Sequence, residues 1–142
     1  MTTKVPWHLW LVGCLAVLWN SIGAYDYLMT QTQNESYMSS FSPAQLDYFY
    51  SQPLWVVCAW AIAIWSSVLG SILLLMRNKI STPVFLISFV GAVVTSIYSY
   101  GLSNGYEIMG GIGALVFSIV IIVIAFALYL YARAMSNKEI LK

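Results

Sequence analysis

Leu115-Val-Phe-Ser-Ile-Val-Ile-Ile-Val-Ile-Ala-Phe-Ala-Leu128 contains one hydroxyl group and no charge. A helix made of this stretch is apolar around its whole circumference, so it has no polar face to turn toward water. With its flanks it is long enough to cross a bilayer, which takes about 20 apolar residues. It reads as a transmembrane helix meeting lipid or another subunit over most of its surface, and it offers no route for an ion.

The rest of the chain follows the same pattern. Hydrophobic residues make up 61% of the 142 and charged residues only 8%, against about 25% charged in soluble domains. The expected fold is a single all-α domain over residues 1–142, an integral membrane bundle of four transmembrane helices. The spans are predicted over residues 7–27, 53–76, 83–100 and 110–131, with a loop over 28–52. Pro53 and Pro83 fall where a helix's first turn tolerates a missing N–H. Leu11-Val12-Gly13-Cys14 matches a lipoprotein cleavage box and Ile22-Gly23-Ala24 a signal-peptidase site. The apolar stretch continues past Cys14, however, which suits a membrane anchor better, and the segment is read as the first span.

Charge sets the orientation. Lys4, Arg77, Lys79, Arg133, Lys138 and Lys142 fall in the amino-terminal tail, the loop between spans two and three, or the carboxyl tail. The other two loops hold Asp26, Glu35, Asp47 and Glu107 and no Lys or Arg. The positive-inside rule then places both termini in the cytoplasm, in a bacterial inner membrane. A net charge of +1 without a basic cluster leaves no surface for nucleic acid. Ser42-Pro43-Ala44-Gln45 has the form of a capping box and predicts a short amphipathic helix in the first outer loop. Leu46, Phe49 and Tyr50 share its apolar face, and it either lies on the membrane surface or caps the bundle.

Small residues mark helix faces: Ala59, Ala63, Ser67 and Ser71 in span two, Ser88, Ala92, Thr95 or Ser96, and Ser99 in span three, and Gly110, Ala114 and Ser118 in span four. Helices in lipid associate by close backbone approach, so these stripes read first as packing seams. The alternative is that their hydroxyls line a polar path.

Candidate chemistry gathers in Trp19-Asn-Ser-Ile-Gly-Ala-Tyr-Asp-Tyr-Leu-Met-Thr-Gln-Thr-Gln33. Asn20, Gly23 and Tyr27 recur at helical spacing, and Asp26 stands about 9 Å beyond Asn20 along the axis. A carboxylate in or near the bilayer is costly and is paired or functional when it is retained there. Tyr100 or Tyr106 is the expected partner of Asp26, since no cation lies on that side. The candidate ligand-binding residues are Asn20, Tyr25, Asp26, Tyr27, Tyr100 and Glu107. No catalytic or metal-ligating set emerges: Asp26, Asp47 and Glu107 lack calcium-loop spacing, and Met29, Met38 and Met109 lack the density of a copper site. His8 is the one histidine, and Cys14 and Cys58 fall at opposite depths. No nucleophile elbow, phosphate loop or zinc signature is present, so neither an enzyme nor a cofactor is expected.

Trp19-Asn20-Ser21-Ile22-Gly23-Ala24-Tyr25-Asp26-Tyr27, Pro53-Leu54-Trp55, Leu69-Gly70-Ser71 and Tyr98-Ser99-Tyr100-Gly101-Leu102-Ser103 resemble segments of small bacterial four-helix inner-membrane proteins that often carry the label "sugar transporter". The resemblance extends to about residue 105 and implies sugar movement, without functional residues to carry over. The expected function is an accessory or interaction protein, oligomeric or bound to a larger membrane-protein partner and surrounded by lipids. The alternative is a component of a transporter for a small neutral solute such as a sugar, or a protein that binds lipid or quinone.

Overall fold

The computed structural model describes residues 4–142, and among these the chain is helical with no strand. The helices are α1 (Trp7–Gln31), α2 (Glu35–Met38), α3 (Pro43–Tyr50), α4 (Leu54–Leu75), α5 (Ser81–Ile97), α6 (Gly105–Ile108) and α7 (Ile112–Asn137), with a π-helical turn at Tyr98–Leu102 extending α5. Four helical segments are long and apolar enough to span a membrane: α1, α4, α5 with its π turn, and α7. A spanning segment must satisfy its backbone polar groups internally, which uninterrupted helix does. α5 carries Pro83 only in its first turn.

The helices run beyond the predicted spans in α1, α5 with its π turn, and α7, while α4 and α7 begin later than predicted. α1 continues to Gln31 and α7 to Asn137. Gly110 is not part of the α7 seam as the small-residue spacing suggested. With φ of 112° at Gly110 and 74° at Gly111, the two form a left-handed turn that favours glycine, and α7 starts after it.

α1, α4 and α7 end in the same way. Gln33, Arg77 and Glu139 each have a positive φ. Beyond them the N–H groups of Asn34, Asn78 and Ile140 donate to the carbonyls of Met29, Leu73 and Met135. These are Schellman caps, which use otherwise unpaired end carbonyls and turn the chain sharply out of the helix.

In the bundle α1 packs on α4, α4 on α5, and α5 on α7. The α4–α5 seam is tight: a methyl group on Gly91 would meet the Ala59 carbonyl and Ala63, and the Ser88 hydroxyl donates to the Ala63 carbonyl at 2.7 Å. The Ala59 and Ala63 stripe is therefore a seam, as its spacing predicts.

α1 and α7 meet at the end of the bundle that holds the basic residues. There Leu9, Leu74, Phe85, Ala132, Met135, Ile140 and Leu141 form a buried cluster. His8 Nδ1 and the Tyr131 hydroxyl share a hydrogen bond of 2.5 Å. The carboxyl tail folds back over this cluster. The Lys142 N–H donates to the Arg77 carbonyl, the Lys79 N–H to the Lys142 carbonyl, and Arg77 Nε to the Ile140 carbonyl.

Candidate functional site

Away from the basic end, α1 and α7 diverge, and the space between the four long helices holds two adjoining chambers. The inner chamber has a volume of ≈ 390 Å³ and lies among Trp19, Asn20, Trp60, Phe85, Ser88 and Phe117. The second, of ≈ 320 Å³, rises toward the short helices among Thr30, Tyr48, Phe49, Gln52, Thr95, Ser99 and Tyr100. Asp26, Trp60, Ala63, Ala92 and Phe117 line both, so the two are halves of one cavity. Ile22 and Phe117 line the inner chamber yet are 66% and 58% exposed, which marks a sideways opening between α1 and α7. Phe85, 1% exposed, sits at once in the cavity wall and in the buried cluster of the basic end, and so forms the floor.

The short helices roof the cavity. α3 begins with the capping box predicted for it: the Ser42 hydroxyl accepts from the Gln45 N–H, and Gln45 Oε1 accepts from the Ser42 N–H. Gln45 Nε2 also donates to the Ile108 carbonyl at 3.1 Å, tying α3 to α6. The inward face of α3 differs from the one expected. Tyr48 is its buried residue and bonds Ser103 Oγ at 2.7 Å, Phe49 lines the cavity, and Tyr50 is exposed. Tyr48 wins the inward position because Gly105 has no side chain: a methyl group there would collide with the Ser99 carbonyl and the Tyr48 hydroxyl.

Asp26 stands in the wall of both chambers. Its hydrogen-bond partner is neither Tyr100 nor Tyr106 but Tyr37 of α2, whose hydroxyl donates to Asp26 Oδ1 at 2.5 Å. The bond to Asp26, followed by burial and the nearby charges of Asp26 and Tyr25, pushes the Tyr37 phenol from its ordinary 10.0 up to about 12. The Schellman turn at Gln33 reverses the chain to bring Tyr37 back, and Asn34 caps α2 by accepting from the Tyr37 N–H at 3.0 Å.

The remaining candidates divide. Asn20 is buried in the inner chamber, its amide donating to Ser71 Oγ at 2.8 Å and the Ser67 carbonyl at 3.2 Å. Tyr100 lines the second chamber and bonds Ser118 Oγ at 2.7 Å. Tyr25 touches the site only through the edge of its ring against Tyr37. Tyr27 packs on Trp60 and Trp65 and lines neither chamber. Glu107 is exposed on α6 and takes no part in the lining.

Most hydroxyl groups in the lining are already engaged. Ser67 donates to the Ile64 carbonyl, Ser88 to Ala63 and Thr95 to Gly91, while Tyr48 and Tyr100 pair with Ser103 and Ser118. Two acceptors stand out against them: the second carboxylate oxygen of Asp26, and Gln52 Oε1, which is buried without a hydrogen-bond partner. No Lys, Arg or His lines either chamber. Among the described residues no three His, Cys, Asp or Glu side chains come together as a metal site.

Compared with protein families, curated proteins and solved structures, the chain matches none.

Proposed function

We propose that this protein is a membrane-embedded binding component of a transport system, holding a small solute in the cavity between its four spanning helices. The observation that carries this reading is the cavity itself: two joined chambers with a carboxylate in their shared wall, floored at one end and open at the side. Binding sites in proteins are concave, mostly apolar and furnished with a few polar groups, and this cavity has that character. Five of the six basic residues fall in the tails or the α4–α5 loop, and the sixth, Arg133, lies near the carboxyl end of α7 at the same end of the bundle. By the positive-inside rule that end faces the cytoplasm of a bacterial inner membrane, carries both termini, and leaves α3 on the outer side. The solute then enters from the outer leaflet or the outer face, and its passage across the floor at Phe85 requires a second conformation or a second subunit.

Native mass spectrometry of the protein released from mild detergent tests this, with Ala92→Phe as the comparison, since Ala92 borders both chambers. The wild type retains a small molecule, and the variant, with the same subunit count, does not. A wild type that emerges bare, or a variant that carries the same molecule, refutes the reading.

A second reading, an accessory protein that packs against a partner, is favoured by α7. Val116, Phe117, Ile119, Val120 and Val123 of this helix are exposed, a surface suited to another membrane protein as well as to lipid. A closed homo-oligomer or co-purification with a stoichiometric membrane partner supports it; a monomer with bound solute does not.

A further inference from the structure

We infer that the solute is an organic cation, a protonated amine carrying an aromatic or bulky apolar group, held between Asp26 and the aromatic walls. This rests on the cavity being a binding site. A neutral sugar needs several free donors and acceptors around it, but most of the hydroxyls here are bonded within the protein. Two open acceptors stand out in the lining, the second oxygen of Asp26 and the buried Oε1 of Gln52. A buried acceptor without a partner calls for a ligand that donates, and a carboxylate with no cation beside it calls for positive charge.

The walls point the same way. Trp19, Trp60 and Phe117 present aromatic surface to the inner chamber, and the faces of such rings attract organic cations. A bare metal ion is a poorer fit, because a hard cation takes about six oxygen ligands and the chambers supply one carboxylate. The chamber volumes of ≈ 390 and ≈ 320 Å³ suit a molecule larger than an inorganic ion. Tyr37 completes the device by holding one oxygen of Asp26 and leaving the other free.

The test is equilibrium dialysis of the full chain in lipid nanodiscs, corrected for empty nanodiscs, with 2-phenylethylamine as the cation and 2-phenylethanol as its neutral counterpart of similar shape. The amine is expected to bind at least about tenfold more tightly than the alcohol. Asp26→Asn, which keeps an acceptor for Tyr37, brings the amine down to the level of the alcohol. Tyr37→Phe preserves the charge and leaves the amine's preference standing. If the alcohol binds as well as the amine, or if Asp26→Asn leaves amine binding unchanged, the cavity remains a binding site and the cation assignment is overturned. If neither probe binds the wild type, the binding-site reading falls, and the cation with it.

Discussion

Phe85 and Phe117 are the same residue in two opposite settings. Phe85 is 1% exposed, pressed against Gly70 of α4 within the cluster of Leu9, Leu74, Met135 and the returning tail. Phe117 is 58% exposed on the rim of the cavity, where α7 has left α1. At the basic end the chain uses tail, loop and side chains to fill the space between the helices. At the other end the loops are longer, and they roof the space without filling it. In lipid, apolar side chains gain nothing by leaving the solvent, so only good packing holds helices together. An unfilled interior beside a well-filled one is therefore a place where stability has not been maximised, as binding sites generally are.

Phenylalanine deletion measures this contrast directly and should give the largest effect. Phe85→Ala removes contacts that the packed end cannot restore and leaves a void, at a cost of about 3 kcal/mol. Phe117→Ala, which trades a rim contact for lipid, costs less than about 1 kcal/mol. Thermal or denaturant unfolding in one detergent compares the two, and equal losses would abolish the distinction between the ends. Next comes the roof. Gly105→Ala drives a methyl group into the Ser99 carbonyl and the Tyr48 hydroxyl, with an expected cost of about 2 kcal/mol. The damage should be confined to the open end, so hydrogen exchange rises in α3 and α6 while the amides around Leu74 stay protected. A smaller effect is expected from Asn20→Ala, which removes the amide bonds to Ser71 and the Ser67 carbonyl. Hydrogen bonds between helices in lipid contribute about 0.6 kcal/mol each, so a loss of about 1 kcal/mol is expected in the same unfolding assay.

The same contrast explains what could be read in the sequence. The four spans were legible because hydrophobic length is a local property, and the capping box of α3 because its residues lie three apart. The seam at Ala59 and Ala63 was also legible, since small residues at helical spacing have one main use in lipid. Asn20, Asp26 and Tyr100 were singled out as polar groups in apolar surroundings, and all three line the cavity. Tyr27 and Glu107 were chosen on the same grounds and lie elsewhere, because helical spacing does not say which face a neighbour will occupy. Tyr37 was missed. Its contact with Asp26 depends on a left-handed Gln33, a conformation that glutamine rarely adopts, so no composition rule marks the turn that returns Tyr37 to α1. Trp60 was missed because a tryptophan in a transmembrane stripe looks like any other.

The smallest of the expected effects is the one that isolates this contact. Folding raises the Tyr37 phenol from its ordinary 10.0 to about 12, first through its bond to Asp26 and then through burial and the charges of Asp26 and Tyr25. A phenol whose pKa is higher in the folded than in the unfolded state contributes stability that is fully present below pH 10 and disappears as pH climbs through about 12. Phenolate absorbance followed during alkaline titration should therefore contain a late component at about 12 that Tyr37→Phe diminishes by one phenol and that Asp26→Asn moves back toward the ordinary value. The melting temperatures of wild type and Tyr37→Phe should differ at neutral pH and converge as the titration passes about 12. If Tyr37→Phe leaves the late component undiminished, Tyr37 is not bound to Asp26 in solution. The carboxylate would then face the cavity with both oxygens free, and the open end would be looser than the bond from α2 to α1 makes it.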